Sequence, residues 1–242
     1  MPSQKPRTVL SLDSVLAEGV LALDEMGAEG LSLRELARRL DAGVASLYWY
    51  VEGKGQLIDL AVDRVMAEVT DPVAWDVAKQ VGSAAAGPLG TVRTLALRLF
   101  DAFDVHQWCP GRIVQDPRRQ PHSVGALDLV GRQLATLGLT VEQQFFTATT
   151  IMSYVIGSCS QQATAQSKVG DAVSRRAHLS DAARRWSEVD PGELPFLHSA
   201  SAILRDHDDR EQFEFGLDLL LAGVRDLAGQ PQLESATQGA RT

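Results

Sequence analysis

The chain has only two cysteines, Cys109 and Cys159, too few and too far apart for a disulfide framework or a thiolate zinc site. Two reduced, buried thiols in a cytoplasm are the expectation instead. Long hydrophobic runs are missing too: no stretch of about 18 apolar residues occurs, so no membrane-spanning helix is expected. The amino end, Met-Pro-Ser-Gln-Lys-Pro-Arg, runs into Val9 and Leu10 without a secretory core, and export is not expected. An excess of positive charge is also lacking, because 23 Lys and Arg stand against 31 Asp and Glu, a net charge of −8. Even residues 1–68 are net acidic, so any contact with nucleic acid must rest on local placement of a few cations. There is no metal-ligand spacing, Gly-rich phosphate loop, nucleophile elbow or paired-carboxylate motif. The five histidines, His106, His122, His178, His198 and His207, are scattered. No cofactor, metal site or catalytic residue is therefore expected.

What is present is ordinary for a soluble protein that buries one large or two modest cores: 242 residues, 45% hydrophobic and 22% charged. The most informative stretch is residues 31–54. Ser32 and Glu35 have the spacing of a capping box, and Leu33, Leu36, Ala37 and Leu40 then recur at helical intervals. Gly43 is expected to take the positive φ of a sharp reversal. Val44 to Tyr50 offers a second short helix with Val44 and Leu47 turned inward. Two helices joined by such a turn make a helix-turn-helix, whose second helix is built to enter a DNA major groove. A first helix over about Leu12–Met26, stopped at Gly27, would close a three-helix unit. Lys5, Arg7, Arg34, Arg38, Arg39 and Lys54 cluster around the reading helix, while Glu18, Asp24, Glu25, Asp59 and Asp63 are expected to face away. Tyr48, Trp49 and Tyr50 point about 100° apart on a helix, so at least one must be exposed.

The segment Leu12–Val69 resembles the N-terminal domain of the TetR family of transcriptional regulators. Leu47-Tyr48-Trp49-Tyr50-Val51-Glu52-Gly53-Lys54, with Leu57-Ile58-Asp59, is similar to the "LYWH-V-x-x-K-x-x-L-L-D" signature of the tetracycline-repressor branch. The resemblance implies DNA-facing positions at Arg34, Val44, Ala45, Ser46, Tyr48, Trp49, Tyr50 and Lys54. Val44 and Ala45 stand where the tetracycline repressor has polar or proline residues, and Leu33 where it has Thr; these departures bear on the operator sequence, not on docking. The resemblance also implies a fourth helix, Gly53 to about Val69, ended at Asp71-Pro72, that links the reading unit to a ligand-responsive core.

Beyond it the chain reads as helical to its end. A weak helix is expected over 73–86, an interruption at Gly87-Pro88-Leu89-Gly90, and a helix from Thr91 with Val92, Leu95, Leu99, Phe100 and Phe103 on one face. Cys109-Pro110-Gly111 breaks it, and Asp116–His122 is a polar loop. Further helices run over Ser123–Leu137 and, opened by a Thr140/Gln143 capping box, through Phe145, Phe146, Thr149, Met152, Ile156 and Cys159. Residues 160–193 read as a mobile helical or loop segment. Pro195 precedes a short helix, and Asp209 with Gln212 is expected to cap the last one. There Phe213-Glu214-Phe215-Gly216-Leu217-Asp218 resembles the "F-x-F-G-L-(D/E)" ending of tetracycline-repressor-like C-terminal domains.

The expected architecture is all-α: an N-terminal three-helix helix-turn-helix DNA-binding domain and a C-terminal helical ligand-binding and dimerisation domain. The divisions are 1–54 for the arm and reading unit, 55–71 for the linking helix, 72–230 for the C-terminal domain and 231–242 for a disordered tail. The resemblance implies a homodimer through residues 140–159 and the last helix, with Gly157, Gly216 and Gly223 permitting close approach. Its partners would be double-stranded operator DNA and a small-molecule effector. Positions suited to an apolar effector pocket are Phe100, Phe103, His106, Trp108, Phe146, Thr149, Met152 and Tyr154. Residues 111–121 contain no His, and Thr70 stands where the tetracycline repressor holds its drug, so tetracycline–magnesium recognition is not expected. The competing readings are an all-helical ligand carrier or enzyme, and an interaction scaffold that has lost DNA binding.

Overall fold

In the computed structural model, which describes residues 10–71, 87–114, 116–169 and 172–230, the first helix is opened by two serines. Ser11 Oγ accepts from the Ser14 amide at 3.1 Å and Ser14 Oγ from the Ser11 amide at 2.9 Å, so two orphan donors of α1 (Leu12–Gly30) are satisfied reciprocally. Gly27 does break the helical path, at φ 69°, but one more turn follows and carries α1 three residues past the expected stop. Helices α2 (Leu33–Arg39) and α3 (Val44–Leu47) complete the small unit around Leu23, Leu31, Leu36, Ala37, Leu47 and Val51, all buried.

Helix α4 (Lys54–Thr70) is apolar on more than one side. Leu57, Ile58, Ala61, Val62, Val65, Met66 and Val69 are all buried, because α4 packs against α1 on one flank and the C-terminal helices on the other. Those helices are α5 (Pro88–Val105), α6 (Pro121–Ala135), α7 (Val141–Val169), α8 (Ala172–Ser187), α9 (Pro195–Arg205) and α10 (Asp209–Gly229), with a 3-10 turn at Pro110–Arg112. One continuous apolar core joins α1–α7 and α10. The helices α8 and α9 form a hairpin that packs chiefly on itself. Among the described residues there are ten α-helices and no strand, and no helix is long and apolar enough to cross a membrane.

Several local readings are corrected. The helix expected from Thr91 starts three residues earlier, at Pro88: proline's missing N–H costs nothing in the first turn, and Gly87 supplies the cap position. Of the segment read as helical or loop, residues 160–169 and 172–187 are helical, and ion pairs of Asp181, Arg184, Arg185 and Glu188 support the end of the second stretch. The last helix is capped by Asp208, whose carboxylate accepts from the Glu211 amide at 2.9 Å, one residue earlier than expected. The Thr140/Gln143 box forms as read, with bonds of 2.9 and 3.2 Å. The helix expected over 73–86, the arm with Lys5 and Arg7 and the tail 231–242 lie outside the described residues.

The seam between the two halves is electrically polarised. Asp24 accepts from His106 and Trp108, Glu29 pairs with Arg112, Asp59 with Arg119 and Asp63 with His122, at 2.7–2.8 Å. Every carboxylate belongs to α1 or α4 and every partner to the C-terminal half. Of the acids in the first 68 residues, Asp24, Glu29, Asp59 and Asp63 thus pair across the seam, Glu18 and Glu25 with Arg39, Glu35 with Arg38 and Asp13 with Arg64, while Asp41 and Glu52 are exposed. Gln120, fully buried, fastens this seam: its amide donates to the Arg112 carbonyl at 2.9 Å and to Asp59 at 3.3 Å, and its oxygen accepts from the Val114 amide at 2.9 Å.

Candidate nucleic-acid interface and ligand cavity

Ser32 caps α2 by accepting from the Glu35 amide at 3.2 Å, but the return half of the box is absent. The Glu35 carboxylate turns instead to Arg38, at 2.5 and 2.9 Å, and that guanidinium lowers its pKa. Arg39 is not a free cation either. It reaches from α2 to α1, donating to Glu18 at 2.5 Å and to both oxygens of Glu25 at 2.6 and 2.8 Å, which raises its own pKa and lowers that of Glu25. Its work is to clamp the two helices.

The reversal between α2 and α3 is made by Asp41, at φ 48°; Gly43, at φ −74°, is extended and caps α3. Aspartate tolerates this left-handed conformation better than most side chains do. From there α3 runs a single turn. Leu47 anchors it, fully buried, and the following residues divide by exposure: Tyr48 is exposed, Trp49 is 88% exposed and Val51 is buried again. Tyr50 is half-buried, with its hydroxyl donating to the Leu10 carbonyl at 2.7 Å. Ala45, Tyr48 and Trp49 follow i, i+3, i+4 along the outer side, with Arg34 exposed at the start of α2. Arg34, Tyr48 and Trp49 make no side-chain hydrogen bond or ion pair among the described residues. Val44 and Ser46 are half-buried at the edge of the surface. Lys54, half-buried at the first position of α4, spans to the Glu29 carbonyl at 3.3 Å.

In the C-terminal half, a cavity of about 550 Å³ opens between α5, α7 and α10. One wall is aromatic: Phe213 lies 4.6 Å from Phe100 and 5.4 Å, stacked, from Tyr154 between ring centroids. The Tyr154 hydroxyl donates to the Phe213 carbonyl at 2.9 Å, and burial pushes its pKa up, keeping it neutral. The other wall is polar, carried by Ser153, Ser158, Gln161 and Gln162 of α7 and Gln212 of α10. An apolar wall facing a few placed polar groups is the usual make-up of a small-molecule site.

Of the eight positions expected to contact an effector, Phe100 and Tyr154 line this cavity. Phe103 and Met152 are buried in the apolar core. His106 and Trp108 are spent on Asp24, and Trp108 borders a separate cleft. Phe146 is exposed on the outside of α7, and the Thr149 hydroxyl bonds back to the Phe145 carbonyl at 2.8 Å. The polar wall was not anticipated, although Ser153, Gly157, Gln161 and Ala165 recur every fourth residue on α7, a small and polar stripe in a largely apolar helix. Among the described residues no group of three or more His, Cys, Asp or Glu is placed to hold a metal ion.

Residues 90–228 match the family model of the tetracyclin repressor-like C-terminal domain. The chain is 32% identical to the HTH-type transcriptional repressor DrrR1 of Streptomyces coeruleorubidus, over 97% of this chain and 84% of that protein. Its fold is similar to a solved TetR transcriptional regulator of Streptomyces coelicolor, with a TM-score of 0.74, 31% identity and coverage of 90% and 99% of the two chains. It is also similar in fold to the TetR family protein ActR of the same organism, solved in complex with actinorhodin, at a TM-score of 0.73 and 21% identity over 92% and 100%.

Proposed function

Since the chain belongs to the TetR family of transcriptional regulators, we propose that this regulator is a homodimeric repressor whose two reading units bind a palindromic operator and are released by an effector in the C-terminal cavity. The observation that carries the reading is the row of exposed, uncommitted side chains, Arg34, Tyr48 and Trp49, on and beside the short helix α3. Tyrosine and tryptophan offer flat apolar area for sugar and thymine methyl groups, and Arg34 a forked donor for a base edge or phosphate. Lys54 adds a phosphate contact from the start of α4, and Val44, Ala45 and Ser46 complete the reading surface. Tyr50 is assigned a supporting part, since its hydroxyl is spent on Leu10.

So few cations give one unit weak affinity, which makes the second copy necessary. An apolar face on α7 and α10 is suited to supply it. Phe145 on α7 is 59% exposed and Phe215 on α10 is 68% exposed, and Val141, Phe146 and Leu219 of the same two helices are exposed as well. A shallow groove between the two helices has room at Gly223, where a Cβ would meet nothing within 4 Å. We assign this face to the dimer, as two helices from each copy. Gly216 has a different part within the chain, making room for Tyr154. The division of labour is 1–54 for reading, 55–71 for linking and 72–230 for effector binding and dimerisation, and the site of action is the cytoplasm, where the DNA is.

The effector class that fits the cavity is a planar, oxygenated aromatic molecule, resting on Phe100, Tyr154 and Phe213 and hydrogen-bonded by the glutamines. Release follows if it binds the DNA-incompatible spacing of the two reading units better than the compatible one. A gel shift with DNA flanking the protein's own gene tests the reading: the wild type is expected to retard it, and Tyr48→Ala and Lys54→Ala to lose the shift while remaining folded dimers. Retardation by both variants at the wild-type concentration would overturn the assignment.

A further inference from the structure

A second concavity, of about 670 Å³, lies at the junction of the two halves, between the kinked end of α1, the 3-10 turn and α7. Sites for small molecules occur preferentially at such interfaces, and this volume is in their ordinary range. Its apolar surface comes from Leu23, Met26 and Trp108, with Ser160 and Ala163 opposite on α7. Its charged groups are the carboxylates of Asp24 and Glu29 and a single guanidinium, Arg112, already paired with Glu29 at 2.7 Å. His106 stands behind Asp24.

The bonding of Asp24 is lopsided. His106 Nδ1, at 2.8 Å, and Trp108 Nε1, at 2.7 Å, both converge on Oδ1. A carboxylate has about four acceptor sites over two oxygens. Oδ2 of Asp24 has no protein donor among the described residues. The cleft therefore presents a fixed, half-used carboxylate beside an indole and a methionine, with a second carboxylate at its rim. Gly27 lines the cleft at the kink of α1, at φ 69°, and the space beside it is open: a Cβ there would meet nothing within 4 Å.

We propose that this cleft is a second small-molecule site, distinct from the effector cavity, that takes an amphipathic organic ammonium ion. The ammonium group donates to Asp24 Oδ2 in a charge-assisted hydrogen bond, beside the indole that Oδ1 already holds. The apolar part rests on Leu23, Met26 and Ala163. Its occupant touches α1 of the reading unit and α7 of the core at once, so it acts on the joint between them.

The probe is 4-phenylbutylamine, charged at neutral pH, with neutral 4-phenylbutan-1-ol as its control, titrated calorimetrically into the full chain. The amine is expected to bind at least tenfold more tightly than the alcohol. Asp24→Asn keeps the shape and the Oδ1 acceptor but removes the charge, and is expected to weaken the amine at least tenfold while leaving the alcohol unchanged. Ala163→Phe, which fills the cleft, is expected to abolish binding of both, and gives the answer if Asp24→Asn fails to fold. Ser158→Leu narrows the effector cavity instead, and is expected to leave the amine unaffected. Equal binding of amine and alcohol, no binding of the amine, or loss in Ser158→Leu with retention in Asp24→Asn would overturn the proposal. None of these outcomes depends on operator release, so the assignment of the effector cavity stands or falls separately.

Discussion

Arg39 and Lys54 carry the same charge on either side of the reading turn, and the sequence treats them alike. Their surroundings do not. Arg39 is closed over by Glu18 and Glu25, whereas Lys54 meets only a backbone carbonyl. Arg39→Ala is therefore expected to lower the thermal midpoint by releasing two carboxylates between α1 and α2, and Lys54→Ala to leave the midpoint alone while weakening DNA binding. Because Arg39 holds the Glu25 pKa below its ordinary 4.5, the clamp's contribution is full above that pH and is lost only as pH falls through the depressed value. A pH series of thermal midpoints for wild type and Arg39→Ala, converging at the acid end, checks the sign. The two thiols give a converse case. Burial pushes Cys159 up to about 12 and Cys109 higher still. At pH 8 roughly one Cys159 in ten thousand is thiolate, so iodoacetamide is expected to label neither cysteine until the chain is unfolded.

At the scale of elements, the reversal between α2 and α3 shows how a legible turn can hide its pivot. The Gly43 in Asp-Ala-Gly looked like the residue for positive φ, yet Asp41 takes it and Gly43 serves as an extended cap. Spacing identifies the turn; which residue bends depends on how α2 ends. Asp41→Gly is expected to be neutral or mildly stabilising, and Asp41→Val to cost about 1–2 kcal/mol in denaturant unfolding. Gly216 is a second such element. A Cβ there would lie 2.2 Å from the Tyr154 hydroxyl, so Gly216→Ala must push the phenol off the Phe213 carbonyl and disturb the aromatic wall of the cavity. A cost of about 1–3 kcal/mol is expected, with effector affinity falling alongside. Helices α1 to α4, α6 and α10 were legible because apolar residues recur at helical spacing between identifiable caps. Helix α8 was legible only as helix or loop, since pairs such as Asp181–Arg184 and Arg184–Glu188 support it without any apolar stripe. The polar wall of the cavity was missed for a related reason: serines and glutamines on a buried helix read as breaks in its pattern, not as a lining.

Over the whole molecule, a chain of net charge −8 approaches acidic DNA with part of its N-terminal acid charge neutralised by ion pairs within the fold. Asp24, Glu29, Asp59 and Asp63 pair with the C-terminal half, and Arg34, Tyr48 and Trp49 stay exposed on the proposed reading surface, with Asp41 and Glu52 exposed beside it. On the proposed reading, pairing of the two units depends on the apolar α7–α10 face. A Phe145→Asp, Leu219→Asp double variant is expected to sediment as a monomer and to lose operator binding without touching α3. The most direct test of the central claim, two reading units held in fixed register by that face, is a hydroxyl-radical footprint on the DNA flanking the gene. Two protected half-sites are expected, centred about 10–10.5 base pairs or a multiple of it apart, both disappearing together on addition of effector. A single protected patch, or protection unchanged in the Tyr48→Ala variant, would contradict it.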